Sequence, residues 1–104
     1  MPLVTDAMLE EVARRFSLLG DPMRLRLVRA LHENGPTSVQ DLADIAGSTT
    51  SNASQHLNRL LLGGIVGRRR QGKSVIYSID DPSIDALCSI VCDSIQDRAR
   101  KLSA

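Results

Sequence analysis

The sequence contains very few aromatic side chains. Phe16 and Tyr77 are the only two among 104 residues, and there is no tryptophan. Proteins that bind RNA or single-stranded DNA stack the bases on aromatic side chains. The scarcity of aromatic residues therefore argues against that class of binding.

The sequence also lacks a long apolar run and an export signal. No stretch of about eighteen apolar residues occurs, and the N-terminus does not show the basic and then apolar order of a signal peptide. We therefore expect no membrane partner and a cytoplasmic location. Its two cysteines, Cys88 and Cys92, are then expected to be reduced thiols.

Catalytic constellations are missing as well. The two histidines, His32 and His56, are far apart in sequence, and both cysteines fall in an apolar pattern rather than beside a base. No nucleophile–base group and no phosphate-cradling glycine motif can be assembled from these residues. We expect that the protein is not an enzyme.

Charge is distributed very unevenly along the chain. Residues 45–79 contain no Asp or Glu, so all twelve acidic residues lie outside this segment. The formal net charge of +1 therefore conceals a strongly basic segment, which favours a polyanionic partner such as double-stranded DNA. The cationic residues of this basic segment are Arg59, Arg68, Arg69, Arg70 and Lys73.

Apolar periodicity and capping residues predict a mainly α fold with a small β-hairpin. Residues 1–104 are expected to form a single domain with four helices, the hairpin and a last helix, in that order. Gly and Pro mark the helix ends. The predicted N-caps are Thr5 or Asp6, then Asp21, Ser38 and Thr49.

The middle of the chain has the pattern of a winged helix-turn-helix. Two helices within residues 38–62, separated by a tight turn at Gly47-Ser48, predict a helix-turn-helix. Residues 65–79 predict the wing, a hairpin with its turn at residues 71–73. A polar-faced helix followed by an arginine-rich hairpin is typical of proteins that read a DNA groove and contact the flanking phosphates.

The first and last helices, predicted at residues 6–19 and 82–101, each carry a long apolar stripe. Because the middle of the chain already forms a compact unit, we expect these stripes to form a homodimer interface. Two-fold symmetry would place two recognition helices about 34–36 Å apart and match a palindromic operator. The predicted interface residues are Met8, Val12, Phe16, Ile84, Leu87, Cys88, Val91 and Ile95.

Three motifs in the expected order make the chain similar to ArsR/SmtB-type bacterial repressors. Residues 16–28 (FSLLGDPMRLRLV) resemble the junction of the first two helices, and residues 54–57 (SQHL) with Leu60 resemble the recognition helix. Residues 66–77 resemble the wing, and the whole match covers residues 12–95. The resemblance implies a homodimeric winged helix that represses its own operon and releases DNA when an inducer, often a metal ion, binds.

The predicted DNA-contacting residues lie on the fourth helix and the wing. Two of them have an alternative: Thr49 is equally suited to helix capping, and His56 to packing against the wing. Alternation along the strand places Arg68 and Arg70 on one side of the wing and Arg69 on the other. The full set is Thr49, Thr50, Ser51, Asn52, Ser54, Gln55, His56, Arg59, Arg68, Arg69, Arg70 and Lys73.

A second arginine cluster is expected to behave differently. Arg24, Arg26 and Arg29 follow Asp21 and precede Glu33 on the second helix, so at least one is expected to form an intramolecular salt bridge.

Metal sensors of the resembled family use recurrent ligand positions that this chain does not preserve. A site on the third helix requires cysteines, which residues 39–44 lack. A site on the last helix pairs an Asp with a His twice, and both histidines are replaced here by serine. Carboxylates with hydroxyls bind zinc or nickel poorly, so we assign no metal site there and expect no required cofactor. The matching positions are Asp81, Ser83, Ser94 and Asp97.

Cys88 and Cys92 remain as candidates for an inducer site. Four residues apart on a helix, they share one face but are too far apart for an unstrained disulfide. Three interpretations stay open: small apolar core residues, ligands of a thiophilic metal or metalloid ion, and thiols that sense oxidation. His32 is expected to be an isolated residue at a helix end.

An alternative function is a winged helix that binds another protein, or a repressor whose response depends on a co-regulatory protein. Fold alone does not separate these functions. The acid-free basic segment favours DNA, because a protein-binding wing does not require charge of one sign.

Overall fold

The computed structural model describes residues 3–103 and contains five helices and a three-stranded sheet within that range. Residues 1, 2 and 104, which the predicted single domain includes, lie outside the described residues. The elements are α1 (Asp6–Leu19), α2 (Pro22–Asn34), β1 (Thr37–Ser38), α3 (Val39–Ala46), α4 (Thr50–Leu62), β2 (Val66–Gln71), β3 (Ser74–Ile79) and α5 (Pro82–Ser103).

The helix starts follow the predicted caps. Asp21 and Ser38 accept hydrogen bonds from the backbone N–H three residues later, at the starts of α2 and α3. The first helix is capped by Thr5, whose Oγ1 lies 3.1 Å from the Met8 nitrogen, and not by Asp6. Each cap satisfies one of the amide groups that have no partner within the helix.

One strand was not predicted from the sequence. Residues Thr37 and Ser38 form β1, which pairs antiparallel with β3 through Tyr77 and Ile76. The resulting strand order is β1-β3-β2. A two-residue strand has no apolar alternation, so only its tertiary pairing identifies it. Because β1 leads directly into α3, this pairing attaches the helix-turn-helix to the base of the wing.

The core lies between α2, α3, α4 and the inner face of the wing. Leu27, Leu42, Leu57 and Leu60 are completely buried, and Tyr77 of β3 is nearly so. The spacing of Val39, Leu42, Ala43 and Ala46 in the sequence predicts the apolar face of α3, and all four residues are buried. A similar helical spacing predicts that α2 buries Leu25, Val28 and Leu31, and this is wrong for Leu25, which is 43% exposed.

Most of the predicted interface residues on α1 and α5 are exposed. Met8, Val12, Phe16, Val91 and Ile95 each leave about half or more of their surface uncovered. Together with partly buried Leu87, the three α1 residues line an open apolar cavity of about 350 Å³ between α1 and the start of α5.

Ile84 differs from the other predicted interface residues. It is only 2% exposed and belongs to the core of the subunit, although it also lines this cavity. Among residues 3–103, no helix combines the length and the apolar character needed to cross a membrane.

Candidate nucleic-acid interface

The turn that precedes α4 is held by hydrogen bonds between residues close in sequence. Gly47 ends α3 with a left-handed φ of 70°, a conformation that L side chains rarely adopt. The Thr49 hydroxyl accepts from the Asn52 N–H, and the Asn52 amide donates to Ser48 Oγ at 2.9 Å. Capping is therefore confirmed for Thr49. The Asn52 side chain, predicted to contact DNA, also holds the turn.

Helix α4 has one buried face and one polar face. Ala53, Leu57 and Leu60 are completely buried, so the rotation of α4 about its axis is determined by the core. Ser54 is half-buried. The predicted contact residues that α4 leaves exposed are Thr50, Ser51, Asn52, Gln55 and Arg59.

The wing divides its arginines between two faces. Arg68 pairs in register with Tyr77 and Arg70 with Val75, whereas Arg69 pairs with Ile76. Cross-strand partners share a face, so Arg68 and Arg70 lie on the side of buried Tyr77 and Arg69 lies on the other side. This arrangement agrees with the predicted alternation.

A groove of about 380 Å³ separates the wing from α4. Its walls include Ser54, Gln55 and Asn58 from α4, and Arg68 and Val75 from the wing. Asn58 was missed in the sequence analysis. Its position three residues after Gln55 is the signal that could have found it, because such residues are neighbours on one helix face.

The basic segment has no internal counterions. Within residues 3–103, none of its cations lies within 4.0 Å of a carboxylate. Arg69 makes only a 3.4 Å hydrogen bond to Gln71. All of these cations are exposed on α4 or the wing and remain free to bind phosphates: Arg59, Arg68, Arg69, Arg70 and Lys73.

The salt bridge expected on α2 is not formed in the described residues. Arg24 donates instead to the Leu18 carbonyl at 2.6 Å, at the end of α1. Its second contact is with His56, whose Nδ1 lies 3.4 Å from Arg24 Nη1 and 3.9 Å from Asp21 Oδ2. His56 is thus half-buried and directed toward α2, and not toward the wing. The backbone N–H of Arg24 holds the pKa of the Asp21 carboxyl below its usual value, with help from the charge of the Arg24 side chain.

The last-helix positions that match a metal site are engaged within the chain. Asp81 Oδ1 accepts hydrogen bonds from the Ser83 hydroxyl at 2.7 Å and from the Ser83 N–H at 3.0 Å. Asp81 Oδ2 binds Arg15 of α1. The Ser83 bonds, and then Arg15, lower the pKa of the Asp81 carboxyl. The Asp81 and Ser83 side chains do not fit a metal site, because the Arg15 guanidinium already binds the Asp81 carboxylate.

The second pair of matching positions is no better suited to a metal. Asp97 Oδ1 lies 3.2 Å from Arg100 Nη2, and Ser94 is exposed. In the described part of the chain, no three histidine, cysteine or acidic residues are grouped as metal ligands.

The two cysteines border a cleft between α2 and α5. Cys88 is half-buried, Cys92 is exposed, and both line a cavity of about 500 Å³ with Leu25 and Val28. Burial raises the pKa of the Cys88 thiol, with smaller contributions from Cys92 and Asp85. Cys92 is therefore the more accessible thiol.

The sequence suggested that His32 is isolated, and this prediction was wrong. Its Nδ1 lies 2.9 Å from Asp85 Oδ1, so it joins α2 to α5 at the rim of the same cavity. The contact joins residues far apart in sequence, which is why local pattern did not predict it.

A family model described as a helix-turn-helix domain matches residues 19–69. The chain is also 39% identical over 77 residues to a cadmium resistance transcriptional regulatory protein, a CadC homolog from Staphylococcus aureus. That alignment covers 74% of this chain but only 64% of the relative's length.

Solved structures share both the fold and part of the sequence. The antimony-specific transcriptional repressor AntR has a TM-score of 0.86 and 31% identity, over 96% of this chain and 90% of that one. A homodimeric winged helix-turn-helix DNA-binding domain from Mycobacterium bovis, described as a possible ArsR-family regulator, has a TM-score of 0.78 and 30% identity. That match covers 94% of this chain and 95% of the other.

Replacement of Asp81 by Asn is expected to lower the free energy of unfolding at pH 7 by about 0.5 kcal/mol, because the amide oxygen can still accept the Ser83 bonds while the ion pair with Arg15 is lost. The folded pKa of Asp81 lies below its ordinary 3.8, so its contribution is complete well above that value. The contribution is then lost as the pH falls through the folded pKa. Urea unfolding from pH 7 to about pH 2.5 should show a weaker pH dependence in Asp81→Asn than in wild type.

The matched control is Asp44→Asn, which changes an exposed carboxylate on α3 that has no ion pair among residues 3–103. It should keep the pH dependence of wild type. An Asp81 variant with that same unchanged profile would contradict the stabilising role of the carboxylate.

Proposed function

The chain belongs to the ArsR/SmtB-type family of winged helix-turn-helix transcriptional repressors, and on that premise we propose that it binds a palindromic operator as a homodimer. The family consists of DNA-binding transcriptional regulators and not of enzymes. A repressor acts where the bacterial chromosome lies, so we place its activity in the cytoplasm. The operon that it controls is proposed to include its own gene.

The observation that carries this proposal is the unpaired basic surface formed by α4 and the wing. Its arginines and lysine are exposed and have no carboxylate nearby within residues 3–103. Phosphate neutralisation by such cations supplies most of the affinity of a DNA-binding protein. The polar side chains of α4, chiefly Ser51 and Gln55, are exposed on the helix whose opposite face is buried, which supports a role in contacting base edges in the major groove.

Dimerisation is supported by the apolar surface of α1 and α5. Phe16 is 56% exposed, Ile95 64% and Val91 48%, and such side chains are stabilised when a second copy covers them. A C2 dimer uses the same patch on both subunits, so no other partner is needed to bury it. The α1–α5 pair would then set the spacing of the two α4 helices.

We further propose that Cys88 and Cys92 form the inducer-responsive site. The cadmium and antimony in the names of two similar proteins are elements that bind thiolate sulfur. The two thiols here share one face of α5 and open into the cleft with α2. A bridging ion would change how α5 packs on α2 and so how the dimer presents α4.

Charge removal at the wing is the direct test of DNA binding. Each of Arg68→Gln and Arg70→Gln is expected to weaken binding to all DNA sequences and to reduce the slope of log K against log salt by about one. Fluorescence anisotropy with upstream DNA and with random duplex would measure both effects. Arg98→Gln on α5 removes an equal charge far from α4 and should leave the slope unchanged. A wild-type affinity that is independent of salt would refute the electrostatic basis.

The dimer is tested at Phe16. Phe16→Glu would place a charge in the apolar face and is expected to shift sedimentation equilibrium toward the monomer, with loss of operator binding. Leu62→Glu is the matched control, because Leu62 is 80% exposed but lies at the end of α4. It should remain dimeric. A fully dimeric Phe16→Glu variant would exclude this face as the interface.

Release from DNA is tested at the cysteines. The reduced protein on its upstream DNA would be titrated with arsenite, cadmium, zinc and nickel ions, and then with an oxidant, beside a Cys88→Ser/Cys92→Ser double variant. We expect release by arsenite or cadmium in the parent protein only. If no agent alters binding, the thiols are packing residues and the response depends on a co-regulatory protein or on a ligand outside this series.

A further inference from the structure

Arg24 lies where three helices meet. Its Nε donates to the Leu18 carbonyl at 2.6 Å, and its Nη2 is 3.5 Å from the Ser17 carbonyl, both at the end of α1. Its Nη1 is 3.4 Å from His56 Nδ1 on α4. A guanidinium can only donate hydrogen bonds, so the His56 Nδ1 accepts in this contact.

The position of Arg24 is itself fixed by its own helix. Asp21 accepts the Arg24 N–H at 2.9 Å, and this cap holds the first turn of α2 in place. One side chain therefore joins the dimer-side helix α1, the start of α2 and the recognition helix α4.

A second contact between α1 and α4 supports this connection independently. The Cβ of any residue replacing Gly63 would lie 2.2 Å from Leu18 Cδ1, so the Leu18 side chain packs directly on the backbone at the end of α4. Leu18 is also the residue whose carbonyl binds Arg24. The end of α1 is thus held against α4 at two places, near His56 and at Gly63.

We propose that Arg24 is a positioning residue for DNA recognition, which holds α4 at a defined angle to α1 through His56. The inference rests on the proposed function, since it concerns how the dimer sets the angle of the helix that reads DNA. Arg24 does not contact DNA in this arrangement, because all three of its nitrogens are directed to α1 or α4. His56 is correspondingly a link to Arg24 and not a groove contact.

Arginine is specifically suited to this task. Its planar fork directs three nitrogens to acceptors on two helices, whereas a lysine ammonium is a single point on a flexible stem. Arg24→Lys would preserve the charge but could not reach the acceptors on both helices, so it should weaken operator binding. If Arg24 contacted a phosphate instead, Arg24→Lys should retain binding, because lysine also neutralises phosphate.

The test compares operator binding with random-duplex binding. The operator is the sequence that the wild-type protein enriches from a random DNA pool, and affinities are measured by anisotropy over a range of salt. Arg24→Gln and Arg24→Lys are each expected to lower operator affinity about tenfold, as for loss of a charged hydrogen bond. Random-duplex affinity should stay within about twofold and the salt slope should not change.

A second pair of variants leaves Arg24 and its backbone bonds in place. His56→Asn keeps an acceptor close to the Nδ1 position and should retain wild-type affinity within about twofold. His56→Leu removes the acceptor and should lose about tenfold. In the Arg24→Gln/His56→Leu double variant the loss should again be about tenfold, and not the hundredfold of two independent effects.

Each remaining outcome would overturn the proposal. Full operator affinity in Arg24→Lys, additive losses in the double variant, or equal weakening by His56→Asn and His56→Leu would show that Arg24 does not act through His56. An equal loss of operator and random-duplex binding would indicate a reduced folded fraction or a lost phosphate contact. If the wild-type protein enriches no sequence from the random pool, the proposed operator binding is contradicted, and this inference fails with it.

Discussion

Burial of one face of α4 is the constraint on which the rest of the structure depends. Leu57 and Leu60 are completely buried, and each such leucine contributes about 1.5–3 kcal/mol relative to an exposed one. Their burial fixes the rotation of the helix about its axis. The polar side chains on the opposite face, including Ser51 and Gln55, then have a defined direction. The same hydrophobic packing therefore forms the core and orients the recognition surface.

The small size of that core explains the remaining apolar surface. Among residues 3–103, α1 buries only Leu19 and α5 buries only Ile84. The rest of each helix extends beyond the core and leaves apolar side chains such as Phe16 and Ile95 exposed. Short chains bury a modest fraction of their surface, and a subunit interface adds to it. In the proposed dimer, this interface would also place two α4 helices on one DNA duplex.

Charges of opposite sign have separate uses in this fold. Carboxylates lie at helix starts and in pairs: Asp21 caps α2, and Asp81 binds Ser83 and Arg15. Both have a lowered pKa and so remain ionised at neutral pH. The cations of α4 and the wing have no such partners among residues 3–103. Acidic groups thus hold the helices in place, while the free cations form a positive surface.

The sequence by itself determined the local features: caps such as Ser38, the apolar face of α3, the alternation of the wing arginines and the acid-free segment. Each depends on residues a few positions apart or on composition. Only the tertiary structure decided that β1 pairs with β3, that Ile84 is buried, and that Arg24 joins α1 to His56. These features depend on which element covers a face, and on which distant acceptor a long side chain can reach. Such contacts join residues far apart in sequence, so no local pattern encodes them.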